Sequence, residues 1–156
     1  MYPLDRTDLR LLTVLQAEGR ISNADLAARV NLSPSACLRR VQRLERNGAI
    51  TGYAAKVNPE AVGLGLQAFV RVQLARHEAG AIDRFVASVN LWDAVVACHA
   101  LSGDMDYLLH VHVADLEAFS RFLLDHLLND AGVADVNSSF VLRTVKQPGA
   151  LPLPLK

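Results

Sequence analysis

Residues 22–48, SNADLAARVNLSPSACLRRVQRLERNG, carry the punctuation of two short helices joined by a tight turn. Ser22 is a good helix N-cap, with Asp25 in capping-box position three residues later. Leu26 and Val30 recur four apart, and Ala27 is small enough for close helix packing. Asn31 stands at the turn, and asparagine tolerates left-handed backbone better than most residues. Ser33 and Pro34 restart the chain as a second helix. The hydroxyl caps it, and the proline's missing N–H does no harm at the first helical position. Cys37, Val41 and Leu44 form an apolar stripe, and Gly48 closes the helix. The opposite side is expected to carry Ser35, Arg39, Arg43 and Arg46, with Arg40 on the flank.

Two helices sharing an apolar seam, the second basic on its outer face, have the shape and charge to dock in a DNA major groove. The free N–H groups at Ser35 and Ala36 favour a phosphate there. Arginine both neutralises phosphate and reads guanine. The DNA interface is therefore assigned to Ser22, Asn23, Ser33, Pro34, Ser35, Arg39, Arg40 and Arg43, in a motif over residues 22–47.

The flanking sequence extends this unit. Residues 4–18 predict a first helix capped by Asp5, with Leu9, Leu11, Leu12 and Leu15 on its apolar face. Such a helix would cover the seam and complete a three-helix bundle. After Gly48, Tyr53, Ala55 and Val57 alternate as a strand or wing, where Lys56 is a solvated lysine in reach of a DNA backbone. The first domain spans residues 1–60, and the glycines and proline of PEAVGLG mark a linker at 61–65.

Beyond it the period changes. Strand 66–74, helix 79–90, strands 94–101 and 107–113 around the turn SGDMD, a helix capped by Asp115, and strand 136–145 follow in order. That is βαββαβ, the ferredoxin-like arrangement. The fold class is α+β: a winged helix-turn-helix domain, then a ferredoxin-like domain over residues 66–147. The proline-rich residues 148–156 form an extended tail that packs across a neighbouring subunit. The strands of the second domain carry little charge on either side, so its second face calls for a partner, most simply another copy of the chain.

Composition narrows the class. No stretch reaches the ~20 apolar residues a membrane span needs. The first ten residues mix acids and bases without an apolar signal core, and two cysteines give neither a disulfide framework nor zinc spacing, so a cytoplasmic setting is expected. The net charge of zero conceals an asymmetry: nine bases against six acids in residues 1–60, seven against ten in the remainder. Only the first part is suited to a polyanion. His99, His110 and His112 are assigned to a sheet or subunit interface rather than to a metal, since no acidic or cysteine ligand stands beside them.

The segment LDRTDLRLLTVLQAEGRISNADLAARVNLSPSACLRRVQRLERNGAITGYAAKVNP resembles the DNA-binding domain of Lrp/AsnC (feast/famine) transcriptional regulators. The turn SGDMDYLL and the closing SSFVLRTVK are similar to that family's effector-sensing domain. The resemblance implies a sequence-specific DNA-binding regulator, not an enzyme, that forms dimers and often octamers. It also implies a small effector, usually an amino acid, bound between sensing domains and needing no cofactor. By the same resemblance the effector residues are Ser102, Gly103, Asp104 and Asp106, with Ser138, Ser139 and, behind them, Phe140. The alternatives are a tetrapyrrole-decarboxylase-like enzyme on the same scaffold and an architectural DNA-binding protein. The first is disfavoured because the sensing half has few bases and the arginine-bearing helix is intact.

Overall fold

The structure is a computed structural model that describes residues 3–75, 79–130 and 132–154. The chain divides into two compact units, Met1–Lys56 with Lys146–Lys156, and Val57–Val145.

The first unit is a three-helix bundle. Helix α1 (Arg6–Ala17) starts at a full capping box: Asp5 accepts from the Asp8 N–H, and the Asp8 side chain accepts from the Asp5 N–H. Helix α2 (Asn23–Val30) is capped by Ser22, whose hydroxyl accepts from the Asp25 N–H and donates back to the Asp25 carboxylate. The reciprocal bond expected of a capping box is thus made side chain to side chain. Asn31 ends α2 in left-handed backbone at φ 57°. Helix α3 (Pro34–Arg46) begins with Ser33 as cap and Pro34 in its first turn, and Gly48 follows it at φ 72°. Leu11, Leu26, Ala27, Cys37 and Leu44 are almost wholly buried at the centre of the bundle.

Two expectations for this unit are corrected. Residues 51–58, expected as a strand or wing, carry no regular secondary structure. Tyr53 is held instead by its hydroxyl, which donates to Glu45 at 3.1 Å. The tail, expected on a neighbouring subunit, lies against the chain's own first helix. The Gln16 side-chain amide bonds both main-chain groups of Leu151, accepting at 2.6 Å and donating at 3.3 Å, and Leu153 packs on the bundle core.

The second unit is a four-stranded antiparallel sheet, β1 (Leu66–Leu74), β2 (Val95–Ala100), β3 (Tyr107–Val113) and β4 (Val133–Phe140), in the order β2-β3-β1-β4. Helices α4 (Ala79–Val89) and α5 (Leu116–Phe122) supply the connections, and Asp115 caps α5. A π-helical turn, Leu123–Leu128, follows α5 and stacks His126 on Trp92 at 5.1 Å between ring centroids. Alternation does the sorting: Ala68, Val70, Val72, Leu74, Leu109 and Val111 join Phe85, Phe119 and Leu127 in one core. Strand β4 begins three residues before the expected start and ends five before the expected end. Its boundary is set by pairing with β1 across a bulge at Gln73/Leu74, a long-range contact that local patterning does not contain.

The other face of the sheet is mixed, and Arg71 and Asp135 put more charge on it than the expected strands of little charge. Gln67, Phe69, Arg71 and Gln73 alternate with the core residues of β1, opposite His112, His110 and Leu108 on β3 and Ser139, Asn137 and Asp135 on β4. Arg71 donates to the Asn137 amide oxygen at 2.6 Å. The edge strand β2 adds Ala97 and His99 to this face.

Removing residues 147–156 takes away the Gln16 clamp and the Leu153 contact. The loss is expected to be about 1–2 kcal/mol, one net hydrogen bond plus a part-buried leucine. Amide hydrogen exchange should accelerate in α1 of the truncated protein while the amides of β1 and β3 keep their protection.

Candidate nucleic-acid interface and sensing site

The charge on α3 is distributed by one residue outside it. Asp8 is fully buried although it is an acid. It lies three and four residues before Leu11 and Leu12 and so shares their inward face. A buried carboxylate needs cationic partners, and α3 supplies two. Arg43 grips Asp8 at 2.8 and 2.9 Å, and Arg40 reaches Asp8 at 2.8 Å and Asp5 at 2.6 Å. The Arg40 guanidinium holds the Asp5 carboxyl below its ordinary range.

This corrects the expected helix face. Arg40 and Arg43 turn toward α1, with side chains only 29% and 31% exposed. The face left to solvent is Ser35, Leu38, Arg39, Gln42, Glu45 and Arg46. Leu38 and Gln42 were not singled out by the sequence, because an outward leucine breaks the apolar count and glutamine carries no charge. Ser22, Ser33 and Asn23 make local bonds. Ser33 accepts from the Ala36 N–H, and Asn23 donates to the Pro34 carbonyl at 2.9 Å, tying α2 to the start of α3. Ser35 lies in the first turn, 3.3 Å from the Ser33 hydroxyl. Pro34 and Ser35 are exposed.

The turn SGDMD, expected to bind the effector, joins β2 to β3. Ser102, Gly103 and Asp104 are exposed, and Gly103 takes φ 130°, a conformation that a side chain disfavours. Asp106 has a different position. Its carboxylate accepts from the Leu74 N–H at 2.7 Å while its own N–H donates to the Val72 carbonyl at 2.9 Å. Asp106 therefore latches the turn to the end of β1. Ser138 and Ser139 stand elsewhere, opposite Val70 and Phe69, and so on opposite faces of the sheet. At about 3.3 Å per residue they lie roughly 13–17 Å along β1 from Leu74. One protomer does not bring the turn and the two serines together.

On the open face, His110 Nε2 lies 2.6 Å from the Gln67 amide nitrogen and 3.1 Å from His112 Nε2, and its ring stacks on Phe69. Gln67, His110 and His112 thus form one row of polar contacts, whose donor and acceptor roles follow the histidine tautomers. Burial, then His112 and His99, lower the pKa of His110 from the ordinary histidine value.

The chain joins a basic helix-turn-helix unit to a ferredoxin-like unit, and such a fold alone does not fix a function. Residues 4–51 match the family model described as "Winged helix-turn-helix DNA-binding", and residues 67–151 the one described as "Lrp/AsnC ligand binding domain". The leucine-responsive regulatory protein of Salmonella typhimurium is 43% identical over 148 residues, covering 95% of this chain and 90% of that protein. A transcriptional regulator from Neisseria meningitidis, solved in complex with L-Met, is 50% identical with a TM-score of 0.93, covering 97% of this chain and 98% of that one. An AsnC family transcriptional regulator from Agrobacterium tumefaciens is 34% identical with a TM-score of 0.89, covering 96% and 97%. The chain belongs to the Lrp/AsnC family. It is a transcriptional regulator, not an enzyme.

Two predictions follow from this geometry. Asp8→Asn should destabilise the helical unit by about 2–3 kcal/mol, since it strands two part-buried guanidiniums. Arg43→Ala should cost a similar amount, and the double variant should cost far less than both together. Arg39→Ala should leave stability within about 0.5 kcal/mol of the parent. Chemical denaturation of the parent and the four variants reads all four outcomes.

The second concerns pH. The lowered pKa keeps His110 neutral in the folded sheet to a lower pH than in the unfolded chain, which protonates it below about pH 6.5. The stability that depends on neutral His110 is therefore present above pH 6.5 and lost as pH falls below it. Denaturation midpoints should drop between pH 7.5 and 5.5, and His110→Gln should flatten that drop.

Proposed function

We propose that the protein is an amino-acid-responsive regulator that works in the cytoplasm as a homo-oligomer, a dimer or a larger ring of dimers. Its helical unit places α3 in the major groove of double-stranded DNA. Ser22, Asn23, Ser33, Pro34 and Ser35 approach the backbone through the two helix starts, and Arg39 supplies the free positive charge. Arg40 and Arg43 act mainly by fixing the angle of α3 through Asp8. Paired half-sites suit a symmetric dimer.

The observation that carries the effector reading is the Neisseria meningitidis regulator, half identical over nearly the whole chain and holding L-Met. The geometry supports a pocket between copies. The exposed turn Ser102–Gly103–Asp104 and the serines of β4 are too far apart in one protomer to grip one small molecule. A second copy can bring one set to the other. Free N–H groups and hydroxyls suit the α-carboxylate, and Asp104 suits the α-ammonium. Asp106 serves as the latch that holds the turn in shape.

The test is a thermal-shift panel of the standard amino acids, followed by gel shift on the protein's own upstream region. An apolar amino acid, L-Met first, should raise the melting point by mass action. Asp104→Ala should abolish the shift and leave the apo protein's melting point unchanged. No shift with any amino acid overturns the effector reading. Loss of binding to every upstream fragment at low salt overturns the regulatory one.

A further inference from the structure

The exposed stripe of α3 contains a leucine for which the bundle has no use. Leu38 is 46% exposed and lies outside the core cluster, and Arg39 and Gln42 stand beside it on the solvent side. Its neighbours Arg40 and Arg43 have been drawn to Asp8. The middle of the helix therefore presents an apolar branch and a primary amide where the sequence promised guanidiniums. Each has a distinct match on a base edge. An apolar side chain contacts the C5 methyl of thymine, and a glutamine amide bonds adenine N6 and N7 together.

Resting on the DNA-binding reading above, we infer that Leu38 and Gln42 are the specificity-determining residues of α3, reading a thymine methyl and an adenine. Four residues of helix separate them by about 6 Å. Base pairs are stacked about 3.4 Å apart, so the two contacts fall roughly two base pairs from each other in each half-site. Arg39 lies on the same stripe, its Nε donating to the Ser35 carbonyl at 3.4 Å. It supplies charge to whichever sequence is bound. The helix thus selects A·T pairs in its middle, with guanine contacts demoted by the withdrawal of two arginines.

The experiment begins with selection from a random duplex pool by the full-length protein. The selected half-site should contain the thymine and the adenine at that spacing. Replacing the thymine by uracil, which lacks only the methyl, should weaken wild-type binding about tenfold, and Leu38→Ala should weaken binding to the thymine site equally. On the uracil site Leu38→Ala should cost nothing further. Gln42→Ala should flatten the preference at the adenine alone, and 7-deazaadenine there should do the same to the wild type. Additive losses for Leu38→Ala and uracil would overturn the inference. So would a Gln42→Ala pool that selects the parental site unchanged. If the wild type enriches no sequence above competitor DNA, sequence-specific binding itself fails, a result separate from insensitivity of an enriched site to these changes.

Discussion

A buried carboxylate sets the orientation of α3 in the helical unit. Asp8 caps its own helix through the Asp5 N–H and simultaneously receives Arg40 and Arg43 from α3. An acid removed from water has no stable alternative to such partners, since breaking a buried ion pair costs several kcal/mol. The pairing therefore does more than join α1 to α3. It fixes the rotation of α3 about its own axis and so decides which side chains remain outside. With Arg40 and Arg43 directed inward, the outer stripe becomes Ser35, Leu38, Arg39, Gln42, Glu45 and Arg46. The positive charge of this unit is thereby divided between architecture and a polyanion.

The sensing unit uses a carboxylate in the same manner. Asp106 ends the turn between β2 and β3 by taking the N–H of Leu74, which a bulge leaves at the end of β1. A turn held at its base in this way can keep Gly103 in a conformation closed to other residues and still present Ser102 and Asp104 to solvent. One acid of the SGDMD turn is structural and the other is free. The resemblance to a sensing turn had treated them alike. The open face is similarly divided, with Phe69, His110 and His112 stacked together beside the polar Gln67, Arg71 and Asn137. A mixed face of this kind suits a contact between copies better than a core, because its polar groups tolerate water until the partner arrives.

Local chemistry was legible in the sequence, and long-range pairing was not. Asp5, Ser22, Ser33, Asn31, Gly48 and Asp115 all cap or turn the chain where expected, because each acts within three or four residues of itself. The βαββαβ order was legible through changes of period. The inward rotation of Arg43 was missed because counting apolar residues cannot see a buried acid. A signal was present: Asp8 occupies a position on the apolar stripe of Leu11 and Leu12, and an acid there requires a cation from another helix. The ends of β4 were missed because β1 defines them. The return of the tail was missed because an extended proline-rich segment has no periodicity to match.

That return changes how the two units are connected. The helical unit is made from both ends of the chain, Met1–Lys56 and Lys146–Lys156, so the sensing unit between them is joined to it twice. A single linker transmits little when it is flexible. Two covalent connections run between the units, and the Gln16 clamp on Leu151 anchors the second of them to α1. An effector alters DNA binding only insofar as it binds one arrangement better than another. Within the helical unit the tail holds α1 through Gln16, and α1 holds α3 through Asp8, so a change at the tail reaches α3 through a short chain of contacts.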